Sequence, residues 1–325
     1  MRVAAAAIAA ISLLVATGCL GPVTKLRTIS AVRFPETSDP SVVRVGSTYY
    51  VYGSNNHLRA PVFVTNDIGR AYSLGEKNSR TREGMPTKPP WAASSTQLWA
   101  PTVGRFGSRW LMFFSADRSN PPQPNNAQCI GRAWASSPAG PFVPEARPWH
   151  CGIGGVGGAL DPELFTDAAG RRYLLVAFGD TESPLHTIPL DANGNAAGAA
   201  VALLRRQHPW EYHFIEQPAM LFDPVRKNYV LTYSAGRWYE ARYSTGIARC
   251  ATPTGPCFSD PSGPWVASGG GRTGPGAMSF FTDTDGLPRA IFASFAAGRE
   301  TTNGGRSASV YYVRFDPSMQ LTVVK

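Results

Sequence analysis

The chain has 325 residues, 43% hydrophobic, 11% aromatic and 16% charged, with 33 glycines and 28 prolines. That is enough chain for one large core or two smaller ones, and low charge with frequent Gly/Pro punctuation and few amphipathic heptads argues for all-β rather than helical architecture. The formal charge of +9 comes from an Arg-heavy composition with no dense basic run, so neither nucleic acid nor a membrane surface is expected as a partner on charge alone.

The first residues read as a targeting segment. Arg2 precedes the apolar run AAAAIAAISLLVA, which is too short to span a bilayer. It ends in Ala16-Thr17-Gly18-Cys19, which resembles a bacterial lipobox with Cys19 as the lipidated residue. Ala16 stands where Leu is more usual, so secretion by cleavage near Gly18 is the alternative. The division expected is a signal peptide over 1–18, a linker over 19–30 and one folded domain over 31–325. Export would place the protein on the outer face of the cell membrane through a lipid anchor, or free outside the cell.

Beyond Cys19 come Cys129, Cys151, Cys250 and Cys257, an even number that suits an oxidising compartment. Of the three possible pairings we take the local one, Cys129–Cys151 with Cys250–Cys257, because each bond closes one short loop. CATPTGPC lacks zinc-site spacing, and no histidine pair completes one.

Along the rest of the chain a turn followed by a β-branched and aromatic run recurs at VGSTYYVYGS (45–54), FGSRWLMFFSA (106–116), AGRRYLLVAFG (169–179), RKNYVLTYSAG (226–236) and DGLPRAIFASF (285–295). Each has a partner strand upstream: PSVVRV, APTVGRF, PELFTD, PAMLFD and MSFFTD. Units that return about every 60 residues, with no helical period between them, predict a five-bladed β-propeller of four-stranded blades. A β-sandwich is the alternative, but it leaves the regular recurrence unexplained.

Acids stand at the heads of three units: Asp39 before Pro40, Asp161 before Pro162, and Glu216 two residues before Pro218. A single Asp-Pro is ordinarily a turn or strand-start device. In a propeller, however, the innermost strands line one channel, so three acids at the same end would meet in one funnel. Cleavage of a glycosidic bond needs one carboxylic acid to protonate the departing oxygen and one carboxylate to activate water, about 6.5–9.5 Å apart for inversion. A third acid can orient the donor and raise its pKa by like-charge repulsion.

These segments, together with LWAPTVGRFGSRWLMFFSA, CIGRAWASSPAGPF and GALDPELFTDAAGRRYLL, resemble glycoside hydrolase family 43 over roughly residues 30–320. The resemblance implies an inverting five-bladed propeller among arabinofuranosidases, arabinanases and β-xylosidases. It implies a general base at Asp39, a tuning and orienting acid at Asp161 and a general acid at Glu216. Two departures stand out. Ala277 replaces a histidine that in the family lies near a central metal ion, so a bound calcium is in doubt and no cofactor is expected. Gln217 replaces a small residue beside Glu216.

Other signals carry an alternative each. Trp99 offers an indole to a sugar ring, or packs between blades. Arg306 resembles an arginine that reaches the family's pocket from the last blade, or is a solvated loop residue. His213 lines the pocket, or packs. The Pro-rich MPTKPPWAASS (85–95) suggests a rim loop over the funnel. Gly152–Gly157 has Gly-x-Gly-x-x-Gly spacing but no strand before it or helix after it, so it is a lead-in to Asp161 rather than a dinucleotide site. DTDG (283–286) is a hairpin turn rather than a calcium loop. No Gly-x-Ser-x-Gly elbow is present. The expectation is therefore an exported, monomeric glycosidase acting on carbohydrate, on α-arabinofuranosidic bonds first and β-xylosidic bonds second. The alternative is a non-catalytic glycan-binding propeller lipoprotein, and a protein-interaction scaffold stands behind it.

Overall fold

Gly46 and Gly107 both sit in the left-handed region, at φ 60°. That lets them close the tight turns between the first two strands of their units, where a Cβ would be strained. In this computed structural model the described residues are 34–70, 72, 80–120, 127–152, 158–179, 184–300, 305–315 and 320–323. The expected signal peptide, Cys19 and the linker over 19–30 lie outside them, as does most of the Gly152–Gly157 run.

The described residues form five sheets of four strands. Blade one holds β1 (Ser41–Val45), β2 (Thr48–Tyr52), β3 (Val62–Thr65) and β4 (Thr81–Arg82); blade two holds β5 (Trp99–Phe106), β6 (Arg109–Asp117), β7 (Gln128–Ala135) and β8 (Val143–Pro144). Blade three holds β9 (Ala159–Thr166), β10 (Arg172–Phe178), β11 (Leu185–Leu190) and β12 (Val201–Leu204). Blade four holds β13 (Ile215–Asp223), β14 (Asn228–Ala235), β15 (Ser244–Cys250) and β16 (Cys257–Ser259). Blade five holds β17 (Arg272–Thr282), β18 (Pro288–Ala296), β19 (Ser307–Arg314) and β20 (Gln320–Val323). Within each sheet the strands lie side by side in chain order and pair antiparallel.

Each inner strand touches the inner strand of the next blade, and β17 touches β1, so the ring closes. Phe34 reinforces that closure by exchanging two backbone hydrogen bonds with Ala308 of β19, at 3.1 and 2.9 Å. The protein is an all-β, five-bladed β-propeller.

The packing explains why the second strands read as nearly unbroken apolar runs. A strand sends alternate side chains to opposite faces, and here both faces of each sheet are covered by neighbouring blades. Met112, Phe114 and Ala116 of β6 pack with Tyr52 and Val62 of blade one, whereas Leu111 and Phe113 pack with Leu174 and Val176 of blade three. In the same way Leu231 and Tyr233 of β14 join blade three, and Val230 joins Phe292 and Tyr311 of blade five. A two-layer sandwich would leave one face to solvent and alternate polar with apolar.

The far ends of the inner strands are pinned by turns. Asp223 is fully buried and holds Arg226 at 3.1 Å and Arg249 at 2.6 Å. DTDG is the β17–β18 hairpin turn, with Gly286 N–H donating to the Asp283 carbonyl. Disulfides join Cys129 to Cys151 and Cys250 to Cys257, the second across the β15–β16 pair. MPTKPPWAASS is not an open rim over the funnel. Met85 is fully buried, and Trp91 is stacked on Phe114 at 6.1 Å in the core between blades one and two.

Candidate active site

The head of every inner strand carries the same backbone device. Asp39, Ala100, Asp161, Gln217 and Ala277, one per blade, are all left-handed, with φ between 45° and 56°. Proline follows in four of them: Pro40, Pro101, Pro162 and Pro218. The pairing register slips at this point in β5, β9, β13 and β17. A bulge with a left-handed first residue bends the strand and re-aims its side chain. Proline costs no ladder bond here because the innermost edge has no partner strand in its own sheet. A non-glycine residue in this conformation costs about 1–3 kcal/mol and persists where its surroundings over-determine it.

Those surroundings are serines at the ends of the second strands. The Ala100 N–H donates to Ser54 Oγ at 2.9 Å, Asp161 N–H to Ser115 Oγ at 2.8 Å, and Ala277 N–H to Ser234 Oγ at 2.8 Å. The second strand of blade three ends in Phe178 and Gly179 instead of serine, and there the Gln217 N–H donates to Asp161 Oδ2 at 3.3 Å. Ser54 also donates to Asp39 Oδ2, so one hydroxyl fixes both a carboxylate and the next blade.

The three sequence-picked acids come together at this mouth, although not as equals. Asp39 and Asp161 occupy the left-handed position itself, whereas Glu216 lies one residue upstream, with Gln217 in that position. In blade two the place of Glu216 belongs to Trp99, and in blade five to Gly276. The Glu216 carboxylate accepts a 2.7 Å hydrogen bond from the Tyr243 hydroxyl. Gly276 makes room for that tyrosine, since a Cβ there would lie 2.3 Å from its ring. Neither Tyr243 nor Ser54 was singled out from the sequence.

The electrostatics place the acids in one field. Burial pushes Glu216 up to about 7, and the charge of Asp39 adds to that rise, while the Tyr243 hydrogen bond and the Arg306 charge oppose it. Asp161 is raised well above the usual carboxylate range, first by burial and then by repulsion from Glu216 and Asp39. Asp39 is also raised by burial, held back by Ser54 and Arg306. From the sequence, like-charge repulsion from Asp161 is expected to keep the proton on Glu216; in the structure burial is the first cause, the like charge that adds to it is Asp39, and it is Asp161 that Glu216 raises.

Arg306 is not a solvated loop arginine. It is 3% exposed, donates to the Trp238 carbonyl at 3.0 Å and the Ala293 carbonyl at 2.7 Å, and lies over the rings of Tyr243 and Phe295 at 5.1 Å each. It is the cation facing Asp39 and Glu216. His213 is not packed into the core. It is exposed and left-handed at φ 67°, its ring beside Tyr212 at 5.3 Å, in an open cleft on the approach to β13. Trp99 is half-buried at the head of β5.

Below the acids the channel narrows to a cavity of about 10 Å³, room for about one water, between the proline ring, Glu163 and Ser279. Glu163 accepts a 2.6 Å hydrogen bond from Ser279 across the channel, and burial raises it to about 7. Among the described residues no group of three or more His, Cys, Asp or Glu is placed to hold a metal. That cavity is lined by two carboxyls, Asp39 and Glu163, with Ser41, Gln217 and Ser279 among four prolines and Met278, and burial favours the protonated form of both carboxyls, which suits a calcium ion poorly.

Fold and site together define a five-bladed propeller whose inner strands present interacting carboxyls at one end of a closed channel. Residues 32–318 match the family model described as Glycosyl hydrolases family 43, and the chain belongs to that family. It is 25% identical over 252 residues to an extracellular endo-alpha-(1->5)-L-arabinanase of Thermotoga petrophila, covering 71% of this chain and 52% of the relative. The chain thus spans about half the length of that curated relative. Among solved structures it is similar to a thermostable family-43 glycoside hydrolase, with TM-score 0.74, 20% identity, and 91% of this chain and 95% of the other covered. It is also similar to the alpha-L-arabinofuranosidase of Lactobacillus brevis, with TM-score 0.72, 18% identity and coverage of 91% and 95%. At these identities the structural likeness speaks for the fold.

Proposed function

We propose that this protein is an inverting glycosidase in which Glu216 is the general acid, Asp39 the general base, and Asp161 the group that orients and tunes the donor. The observation that carries the reading is a carboxyl raised to about 7, held by Tyr243, in the same electrostatic field as a second carboxyl that a cation and a serine keep ionisable. A general acid works best with a pKa near the working pH.

In the reaction, a water oxygen bonds to the anomeric carbon from one face while the bond to the leaving oxygen breaks on the other. The departing electron pair takes the proton from Glu216, and the water's proton passes to Asp39. Release of product and exchange with solvent return the proton to Glu216. Arg306 favours the ionised form of Asp39 before attack and of Glu216 after it. The step needs no resident metal, and chelator treatment should leave the rate unchanged.

The favoured substrate is an α-arabinofuranoside, with a β-xyloside second; membership of the family and the arabinanase relative support that order. Two disulfides and a relative named as extracellular support export. The apolar N-terminal run ending at Cys19 supports a signal peptide over 1–18 with a lipid anchor; the family match from residue 32 supports a linker between that anchor and the catalytic domain.

The test is a series of aryl arabinofuranosides and xylosides with leaving groups of rising pKa. Glu216→Gln should lose more activity on poor leaving groups than on good ones, because only the former need a proton. Equal loss along the series would remove Glu216 as acid. Absence of turnover on every sugar, with binding retained, would favour the glycan-binding alternative.

A further inference from the structure

Two large aromatic side chains stand in solvent at the mouth of the funnel. Trp238 is 53% and Tyr239 41% exposed, on the connection between β14 and β15, with their rings edge-to-face at 5.4 Å. The other large exposed hydrophobics among the described residues lie elsewhere. Val143, Val201 and Phe258 are on outermost strands, and Val45, Val225 and Leu287 are at hairpin turns of the opposite end.

The loop that carries the pair is braced. The Glu240 carboxylate accepts from Tyr212 and Arg242 at 2.9 Å each and from Arg237 at 3.4 Å. The Glu240 N–H also closes a turn onto the Arg237 carbonyl at 2.9 Å. The loop is tied to the acids at two points. The Trp238 carbonyl accepts from Arg306, which faces Asp39 and Glu216, and Tyr243 at the loop's end holds Glu216. The loop that bears the two rings is thus tied to the residues that hold the carboxyls, while both rings are left in solvent.

We infer that Trp238 and Tyr239 form an outer sugar-binding platform. It takes a ring joined to the one being cleaved, by stacking that ring's apolar C–H face on the π surface. The inference rests on the glycosidase reading of the funnel and makes the substrate a chain of sugars rather than a lone terminal glycoside. An aromatic side chain with few rotatable bonds supplies such contact at low entropic cost. Continuity with the acids through Arg306 favours a sugar chain over a protein as occupant.

The test uses the full chain carrying Glu216→Gln, so that substrate binds without turnover. Titration calorimetry would follow linear arabino- and xylo-oligosaccharides from disaccharide to pentasaccharide. Affinity should rise with length. Trp238→Ala and Tyr239→Ala should weaken the longest ligand about tenfold and the shortest about twofold or less, and Trp238→Phe should recover most of the loss. No gain with length, a gain that survives Trp238→Ala, or equal loss at every length would overturn the platform. So would a dimer that Trp238→Ala converts to monomer in sedimentation. Hydrolysis of the same sugars by the unsubstituted protein separates the two ideas. If they are cleaved while Trp238→Ala has no effect, the platform alone fails. If they are not cleaved, the glycosidase reading fails for those sugars, and the length-dependent binding is judged on its own.

Discussion

The Tyr243 hydroxyl donates to Glu216 Oε1 at 2.7 Å, across the seam between the end of the β14–β15 loop and the head of β13. This bond stabilises the ionised carboxylate, so it works against burial, which favours the proton. A proton donor in the resting state must become an anion after each turnover, and Tyr243 is placed to meet that anion.

Tyr243→Phe should therefore raise the pKa of Glu216 above about 7. Activity needs Glu216 protonated and is lost as pH rises through its pKa, so the alkaline limb of kcat/KM should move to higher pH. A hydrogen bond to a charged group is worth about 1.5–3 kcal/mol, and a shift of about one to two units is expected. A pH profile with the alkaline limb unmoved would separate Tyr243 from the acid's chemistry.

Arg306→Met removes the cation that holds both Asp39 and Glu216 down. Both limbs of the pH profile should shift upward together. The acid limb reports loss of the ionised base as pH falls, and the alkaline limb reports loss of the protonated acid as pH rises. The variant also orphans the carbonyls of Trp238 and Ala293, so a lower Tm should accompany the shift.

Asp161→Asn should cost activity and gain stability. In the folded protein burial, with repulsion from Glu216 and Asp39, raises Asp161 well above the ordinary carboxylate range. The folded protein therefore holds a proton that the unfolded chain releases, and stability falls as pH rises through that window. Removing the group should raise Tm at pH 8 by about 2 °C or more and change it less near pH 4. Thermal melts at the two pH values check this, and equal shifts at both would contradict it.

Gly276→Ala tests the space that Tyr243 occupies. Its new Cβ would meet the Tyr243 ring at 2.3 Å and Ser234 Oγ at 2.8 Å. Overpacking of this kind typically costs about 1–3 kcal/mol. Melting temperature and kcat/KM should both fall. A full-activity variant would show that the ring can move without consequence.

Much of this was legible in the sequence because it is repeated. Five turn-plus-strand units fixed the number of blades, and the acids before proline marked the heads of the inner strands. The small residues that end the second strands were visible too, and Ser54, Ser115 and Ser234 turn out to hold the left-handed bulges. Tyr243 was hidden because no local period marks it: it is one of 12 tyrosines, and only the approach of blade five, with Gly276 opposite, gives it its place. The burial of Arg306 was hidden for the same reason, since a Gly-rich approach reads as a solvated loop until the ring of blades closes over it.

The central claim is that water activated by Asp39 attacks opposite the oxygen protonated by Glu216. Proton NMR of an α-arabinofuranoside digest, recorded before mutarotation, tests it directly. The first-formed sugar should be the β anomer. An α anomer would mean a glycosyl-enzyme intermediate and would contradict the role given to Asp39.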